Sequence, residues 1–482
     1  MNIALIVYLV VLVVIAVRSA RRVKDIPDFF VARKGASAKA VAGSLVATIL
    51  GGSAVIGAVD SGARLGGAAS WFMLTGALGL LALIPFASRA YSHGKYALPD
   101  LVETLYGKGP RTVASIVIPV AWTGIVAAQI IAAAKLLMTF TPMSYTAAAI
   151  TAAVVFTGYT LAGGQLSILR TDFFQACLII AGLLVLAGFA YFGDAATVAG
   201  AANAAASAAT SAPTSAPPFP FHSNFTPFDL FLLILTYGTT YTAGPDIFSR
   251  MFCAKDVATA KKAIAGAACT LVPVAFVIGF LAVYGVGLGE VQGARITAIA
   301  NAVLPPALIP LFALALLSVV LSSADTTLLS SSVIICRLLG VGQEKQIPAY
   351  AGMTSEGAGM MNGGADASKG KQLAKARIVI LLNGIVALLL ALVFTDIIGT
   401  LLLALAVYAG AFTVPVLWGL LGLKAKPKFV GAAIVAGGAL ALAGKFCPAL
   451  PGALGAHTGD FLMVAAFIVN AAILAIGRER PA

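Results

Sequence analysis

Residues 47–54 read Ala-Thr-Ile-Leu-Gly-Gly-Ser-Ala and lie inside a long apolar run near 40–61. Two adjacent glycines in the middle of such a run weaken a helix by roughly 1 kcal/mol each relative to alanine. An interrupted helix exposes carbonyl oxygens and a dipole end, which is how membrane transporters build ion sites at mid-membrane depth. The alternative is that the small residues let two helices pack closely.

The composition of the whole chain supports a membrane location for this stretch. Of the 482 residues, 60% are hydrophobic and 10% are charged, and the mean hydropathy is +1.00. Soluble proteins carry about 25% charged residues, so a soluble enzyme, a nucleic-acid binder and a disordered scaffold are excluded. The sequence has no GxxxxGK[ST] phosphate loop and no HExxH metal motif. We therefore predict an integral membrane protein that is neither an enzyme nor driven by ATP.

Apolar runs of about 20 residues predict membrane-spanning helices. The sequence predicts an all-α chain of about thirteen such spans, near 2–18, 40–61, 67–90, 112–138, 144–163, 169–192, 228–248, 263–287, 307–336, 377–395, 397–422, 428–445 and 460–477. The stretch 193–227 is rich in Ala, Ser and Pro, and its prolines break helices, so we expect an extracellular loop there. Residues 341–376 are rich in Gly, Ser and Met and are expected to form a flexible cytoplasmic loop.

Basic residues orient the predicted spans. The chain has 31 Lys and Arg against 18 Asp and Glu, a formal net charge of +13. With the N-terminus outside and the C-terminus inside, all the basic residues except Arg64, Lys135, Arg295 and Lys445 fall in inner segments, as the positive-inside rule requires. The charge excess therefore indicates topology and not a nucleic-acid partner. The predicted location is a cell membrane, of the prokaryotic inner-membrane type, with lipid around the chain.

A second polar stretch at membrane depth is Leu321-Ser322-Ser323-Ala324-Asp325-Thr326-Thr327 in the ninth span. Positions 319, 322, 323 and 326 share one helical face, and Asp325 stands beside it. Sodium needs several oxygens to replace its hydration shell, and hydroxyls supply them without a full countercharge. Ser and Thr hydroxyls can instead bond their own helix carbonyls, but a buried carboxylate needs a cation or a proton.

Two further stretches extend this pattern. Asp172 lies at the start of the sixth span, where pairing with Arg170 is the structural alternative to an ion site. Residues 237–246 of the seventh span, YGTTYTAGPD, combine a second Gly/Pro interruption with aromatic and hydroxyl side chains. Corresponding breaks in two halves of a transporter point to its binding site. If 40–192 and 228–422 are inverted repeats, with extra helices at 2–18 and 428–477, each break lies in the first span of its repeat.

Four stretches, in order along the chain, resemble the sodium:solute symporter family, which has the five-plus-five inverted-repeat scaffold of LeuT type. They are GGQLSILRTDFFQ (163–175), PDIFSRMFCAKDVATAKKA (245–263), SVVLSSADTTLLSSS (318–332) and YAGAFTVPVLWGL (408–420). The resemblance implies alternating-access symport of sodium with a small organic solute of the amino acid, monocarboxylate, sugar or vitamin class. A proton-coupled transporter on the same scaffold and a passive channel are the alternatives, and the oligomeric state stays open.

The resemblance also implies which residues form the sites. It assigns the main sodium ligands to the backbone carbonyls of Ala47, Leu50 and Val319 and the hydroxyls of Ser322 and Ser323. Asp172, Asp325 and Thr326 occupy the places of a second site, and the acidic residue at 325 leaves open whether that site takes sodium or a proton. The expected substrate-binding residues are Gly51, Gly52, Ser53, Gln129, Tyr237, Thr240, Tyr241 and Tyr408.

Overall fold

The computed structural model of the chain describes residues 2–193, 217–289, 291, 293–342, 355–394, 397–446 and 458–479. Within these residues the chain is helical, and its only β-type pairings are isolated bridges. The predicted all-α class is confirmed.

The α-helices are α1 (Asn2–Ala20), α2 (Ile26–Val31), α3 (Ala38–Ile49), α4 (Ala58–Asp60), α5 (Gly62–Leu65), α6 (Trp71–Leu83), α7 (Ala87–His93), α8 (Leu98–Tyr106), α9 (Lys108–Phe140), α10 (Tyr145–Phe192), α11 (Pro227–Leu233), α12 (Thr239–Ala243), α13 (Pro245–Met251), α14 (Val257–Val286), α15 (Arg295–Val303), α16 (Ile309–Leu338), α17 (Ser355–Val393), α18 (Ile397–Leu420), α19 (Pro427–Phe446) and α20 (Thr458–Ile476). The described residues also include π-helical segments at Ser53–Gly57 and Ile234–Gly238 and 3-10 helices at Ala32–Lys34, Gly66–Ser70 and Ile84–Phe86.

The number of spans differs from the sequence expectation. In the described part of the chain, nine helices are long and apolar enough to cross a membrane, and a tenth span forms if Ala38–Ile49 and Ala54–Asp60, which meet at 54°, count as one. The predicted spans 144–163 and 169–192 follow each other without a loop as the two arms of α10, which is kinked at Gly164. The predicted span 228–248 is divided by its π-helical segment and by Gly244. No single helix within it is therefore long enough to cross a membrane.

Gly164 explains why two predicted spans join without a loop. Its φ of 53° and ψ of −151° lie outside the helical region, and they bend α10 in its middle. A Cβ at this position would lie 2.6 Å from Cδ2 and 2.7 Å from the carbonyl oxygen of Phe29. Because only glycine combines this backbone conformation with so close a neighbour, the bend in α10 is fixed by one residue.

The two predicted loops are described only in part. Of the predicted extracellular loop, residues 194–216 lie outside the described residues, and Pro217 accepts a 3.2 Å hydrogen bond from the amide of Gly67. Of the predicted cytoplasmic loop 341–376, residues 343–354 lie outside the described residues, and from Ser355 onward the chain is helical as part of α17. The Lys, Gln and Ala residues of 369–376 favour a helix, and the flexible cytoplasmic loop stays a prediction.

Both helix interruptions expected from the sequence occur. Helix α3 stops at Ile49, Leu50 has a non-helical ψ of 49°, and a π-helical turn follows Gly52. At the second interruption, further along the chain, a π-helical turn precedes α12. Gly244 is then extended, with ψ 138°, before α13 begins at Pro245. Proline suits the first position of a helix because it lacks the N–H that would be unpaired there.

Glycines let the interrupted segments approach other helices backbone to backbone. A Cβ on Gly79 of α6 would overlap the carbonyl oxygen of Gly238, in the π-helical turn of the second broken helix. A Cβ on Gly62 of α5 would likewise overlap the carbonyl oxygen of Ala282 in α14. These contacts leave no room for a methyl group at either glycine.

Gly79→Ala is therefore expected to destabilise the protein by about 1–3 kcal/mol, the usual cost of overpacking a filled interior. The matched control is Gly158→Ala in α10, because a Cβ there meets nothing within 4 Å and alanine should stabilise an open helix position by up to about 1 kcal/mol. Thermal unfolding in detergent measures both variants. Equal melting temperatures for the two would contradict the close contact at Gly79.

Candidate ion and solute sites

The oxygen atoms expected to bind sodium meet where α16 crosses the broken end of α3. The Ser322 hydroxyl donates to the Ala47 carbonyl oxygen over 2.9 Å and lies 3.3 Å from the Val319 carbonyl oxygen. The Ser323 hydroxyl donates to the Thr48 carbonyl oxygen over 3.0 Å. The structure thus brings two hydroxyls and three carbonyls together in a buried interface.

Leu50, the remaining expected ligand, is the residue at which α3 ends. Its amide still bonds to the Val46 carbonyl over 2.9 Å, but its own ψ turns the chain away from the helix. A Cβ on the next residue, Gly51, would lie 2.6 Å from the Ser323 hydroxyl oxygen, so this turn runs directly against α16. A hydroxyl offers lone pairs as well as a proton, so the serines that now donate to carbonyls can also face a cation.

The neighbouring hydroxyls of α16 behave differently. Thr326 and Thr327 donate to the carbonyls four residues earlier, those of Ser322 and Ser323, over 2.6 and 2.7 Å. Ser331 does the same to Thr327 over 2.9 Å. The hydroxyls of these three residues therefore bond within their own helix. The hydroxyls of Ser322 and Ser323 instead reach across to α3.

A buried arginine adjoins this interface. Arg250 of α13 is 0% exposed, and its Nη2 lies 3.6 Å from Oδ2 of Asp172, which is equally buried. Its Nε donates to the Ser44 hydroxyl over 3.1 Å, and Nη2 donates to the Thr326 hydroxyl. Ser44 in turn donates to the Asp172 carboxylate. The guanidinium therefore joins α3, α10, α13 and α16 at one point.

This arrangement corrects the sequence-based pairing of Asp172 with Arg170. Arg170 is exposed and donates to the Ser19 hydroxyl over 3.4 Å, while Asp172 faces Arg250. The two residues are only two positions apart in α10, so their side chains point to different sides of the helix. The role of Arg250 was missed, although its position directly after an apolar run marked it as a charge at membrane depth.

Asp325 is fully buried in the same cluster. Its Oδ1 accepts a 3.4 Å bond from Thr326, while Oδ2 of Asp325 and Oδ1 of Asp172 have no hydrogen-bond partner in the described part of the chain. Two carboxylates and one guanidinium leave one negative charge uncompensated if both acids are ionised. A further monovalent cation or a proton would balance that charge.

A cavity of about 40 Å³ lies beside the break in α3, between the two interrupted helices. Five of the expected substrate-binding residues line it, namely Gly51, Gln129, Tyr237, Thr240 and Tyr241. The remaining lining residues are Ser323, expected as a sodium ligand, and Thr48, Ile49, Trp122, Ile125, Asp246, Thr327, Leu401 and Leu405, which were not expected there. The space holds about three water molecules, so the described conformation does not enclose an organic solute.

The other expected substrate residues, Gly52, Ser53 and Tyr408, are not among the residues that line the cavity. A Cβ on Gly52 would lie 3.2 Å from Oε1 of Gln129, so Gly52 backs the cavity wall. The placement of the Ser53 side chain lies outside the described residues. Tyr408 does not line the cavity, because its ring packs edge-on behind Trp122 at 4.5 Å between centroids.

Among the described residues, the cavity lining contains one acidic side chain, Asp246, and no basic one. Asp246 is 8% exposed, and its Oδ1 accepts the amide N–H of Ile247 over 3.1 Å. Trp122, Tyr237 and Tyr241 form the aromatic part of the wall. A carboxylate beside aromatic faces attracts a cationic group by charge and by the ring quadrupoles.

The comparisons with known proteins decide what class of protein carries this geometry. The model of the sodium:solute symporter family matches residues 29–340. The chain belongs to the sodium:solute symporter family. It is therefore a membrane transporter and not an enzyme, and sodium is its coupling ion. No curated protein matches the sequence at a significant level.

Solved transporter structures share the fold of this symporter. A Na⁺-coupled sialic acid symporter in a substrate-bound, outward-open state aligns with a TM-score of 0.74 and 16% identity, over 100% of this chain and 99% of the other. A nucleobase-cation-symport-1 family transporter in a closed conformation with bromovinylhydantoin bound gives 0.55 and 14%, over 93% of each chain. The Eremococcus coleocola manganese transporter in complex with an aromatic bis-isothiourea substituted compound gives 0.50 and 14%, over 91% of this chain and 94% of the other. At these identities the likeness establishes the LeuT-type fold alone.

Arg250→Gln is expected to lower the free energy of unfolding by about 3–5 kcal/mol, because removing one partner of a buried ion pair leaves the other charge uncompensated. Arg250→Lys keeps the positive charge and should lower the free energy of unfolding by less. The double variant Arg250→Gln/Asp172→Asn should be more stable than Arg250→Gln alone, since no isolated charge is left at this pair. Thermal unfolding in detergent of the wild type, Arg250→Gln, Asp172→Asn and the double variant measures the coupling, and strictly additive losses would show that Arg250 and Asp172 do not interact.

Proposed function

We propose that this symporter couples inward sodium movement to uptake of a small organic solute by alternating access. The observation that carries the proposal is the reach of Ser322 and Ser323 from α16 to carbonyl oxygens at the broken end of α3. Hydroxyl and carbonyl oxygens are the ligands that a hard monovalent cation takes from a protein. The expected ligands Ala47, Leu50 and Val319 complete the proposed main site.

In the proposed mechanism, sodium replaces two hydrogen bonds between helices by ion–oxygen contacts. The serine protons turn away, the freed Ala47 carbonyl and the serine lone pairs face the ion, and α3 and α16 are tied together. This contact shifts the conformational equilibrium only by the difference in sodium affinity between the two states. The membrane potential supplies about 2.3 kcal/mol per charge per 100 mV for the inward step.

The proposed topology places the sodium entrance outside the cell. We assign spans two to six and seven to eleven to two inverted repeats, with thirteen spans in all, the N-terminus outside and the C-terminus inside a cell membrane. The distribution of the basic residues supports this orientation. The segment 193–227 is then extracellular, and 341–376 faces the cytoplasm.

Asp172, Asp325 and Thr326 are proposed to form a second cation site. The support is the uncompensated negative charge beside Arg250 and the two carboxylate oxygens without partners. This charge fits a second sodium ion. It also supports the alternative of proton coupling on the same scaffold, because a proton on either carboxylate balances the cluster equally well.

The double variant Ser322→Ala/Ser323→Ala should raise the sodium concentration for half-maximal uptake by on the order of tenfold or more, since hydrogen bonds and contacts to charged groups are worth about 1.5–3 kcal/mol each. Thr151→Val/Thr270→Val is the control, because those two hydroxyls bond only carbonyls of their own helices. Saturable uptake into proteoliposomes against sodium concentration is the measurement. Unchanged sodium dependence in the serine variant, or uptake driven by a pH gradient without sodium, would contradict the proposal.

For the solute, we infer an amine-bearing molecule, from the amino acid class or from simple amines. The support is a cavity with aromatic walls, one carboxylate and no basic side chain. Gln129 and Thr240 add neutral polar groups. An ammonium group bound to Asp246 would neutralise a buried charge, whereas a solute that carries only a carboxylate would place a second negative charge beside it.

Asp246→Asn should raise the KM for the transported amine at least tenfold, which corresponds to about 1.4 kcal/mol. Asparagine keeps an oxygen for the Ile247 amide, so the start of α13 should stay intact. Asp229→Asn, at an exposed helix start, is the control for loss of one acidic charge. Uptake of amino acids, amines, monocarboxylates, sugars and vitamins identifies the solute first. If only a sugar or a monocarboxylate is carried, or if the Asp246→Asn KM is unchanged, the amine assignment fails while sodium coupling stands.

A further inference from the structure

Four arginines from two separate helices line one surface cavity at the end of α1. The cavity has a volume of about 570 Å³. Arg18 belongs to the last turn of α1, Arg21 and Arg22 follow it directly, and Arg170 comes from α10. The remaining lining residue is Ile15. All four arginines are exposed, and we call them the arginine cluster.

The arginine cluster has no acidic counterpart within the described ranges. None of its members forms an ion pair with a carboxylate there. The acids that follow in sequence, Asp25 and Asp28, pair instead with Arg33 at 2.7 and 2.8 Å. Arg22 and Arg170 line the same cavity from different elements of the fold. Because like charges at close range repel, an anion in the cavity would stabilise the cluster.

The surface next to the arginine cluster is apolar. Val7, Val10, Val14 and Val17 follow one face of α1 at helical spacing and are exposed by 56, 54, 40 and 44%. On α10, the adjacent Phe173 and Phe174 are exposed by 45 and 42%. In a membrane-spanning chain such side chains face lipid tails. The cavity therefore has a positively charged end next to an exposed apolar surface.

We propose that the arginine cluster binds the phosphate of an anionic phospholipid, whose acyl chains lie along the valine face of α1. One guanidinium group can bind two phosphate oxygens at once, whereas a lysine ammonium group acts as a single point charge. Basic pockets between helices at the cytoplasmic surface are suited to anionic headgroups, and the positive-inside orientation places this cluster there. Four guanidinium groups match a headgroup with two phosphates, as in a diphosphatidyl lipid.

The bound lipid holds α1 against α10 near the proposed ion path. Helix α1 packs on both α10 and α16. Deeper in the membrane, the Tyr8 hydroxyl accepts a 3.1 Å bond from Gln175 of α10 and lies 2.7 Å from the Ser318 hydroxyl of α16. Gln175 lies one helical turn beyond Asp172. A headgroup that bridges Arg21, Arg22 and Arg170 therefore strengthens the contact between α1 and α10. That contact extends to Gln175, one helical turn from the buried Asp172.

The experiment compares lipids and variants on the full-length protein in detergent. Melting temperature is followed while phosphatidylcholine, phosphatidylglycerol or diphosphatidylglycerol is added. The anionic lipids should stabilise the wild type at lower concentration than phosphatidylcholine does. In Arg21→Gln/Arg22→Gln, the anionic lipid concentration for half-maximal stabilisation should rise at least tenfold, and Arg21→Lys/Arg22→Lys should fall between the two.

The control variant is Lys371→Gln/Lys375→Gln, which removes two positive charges from exposed positions on α17. Its half-maximal concentration should stay within twofold of the wild type. An equal loss in the control would overturn the proposal, because the effect would then come from net charge alone. Equal stabilisation by inorganic phosphate or pyrophosphate would also overturn it, in favour of a free-anion site. Native mass spectrometry provides the second readout, and the wild type should retain more anionic lipid than Arg21→Gln/Arg22→Gln.

Discussion

The guanidinium of Arg250 is fully buried where four helices meet, and its bonds join α13 to α3, α10 and α16. It contacts Ser44 in α3, Asp172 in α10 and Thr326 in α16, and Ser249 within its own helix α13. Removing a charge of this kind from water costs several kcal/mol even after relaxation. The four helices can therefore separate only if that charge finds other partners or reaches water. The proposed ion and solute sites lie beside the helices that this constraint holds together.

The interrupted helices solve a problem that the lipid environment sets. Carbonyl oxygens at membrane depth must be bonded, and an unbroken helix bonds all of its own. The stop after Ile49 leaves oxygens that α16 satisfies through Ser322 and Ser323. Since these bonds come from hydroxyls, the same oxygens can exchange one hydrogen-bonded partner for an ion without being left bare. The proposed exchange of partners needs only the rotation of two serine hydroxyls, beside the buried contacts of Arg250.

The overall composition and four family-like stretches were enough to predict the class of protein, and local patterns predicted both helix interruptions and the polar face of α16. The interruptions and the polar face each depend on spacing within one segment, such as the glycine pair after Leu50. The partnership of Asp172 with Arg250 was not predicted, because it joins residues far apart in sequence and a nearer arginine was available. Trp122, Leu401 and Leu405 were missed as cavity residues for another reason. An apolar side chain that lines a cavity has the same sequence signature as one that fills the core.

The glycine contacts of the fold have a mechanical consequence. At Gly79 and Gly238, and at Gly62 and Ala282, one backbone rests directly on another, with no side chain between them. Side-chain rotation cannot loosen such a junction, and opening it would create voids on both sides. Within these two contacts, α5 with α14 and α6 with the second broken helix, a relative displacement would have to separate two backbones in direct contact. An interface filled by flexible side chains can instead adjust by changes of rotamer, with the backbones staying apart.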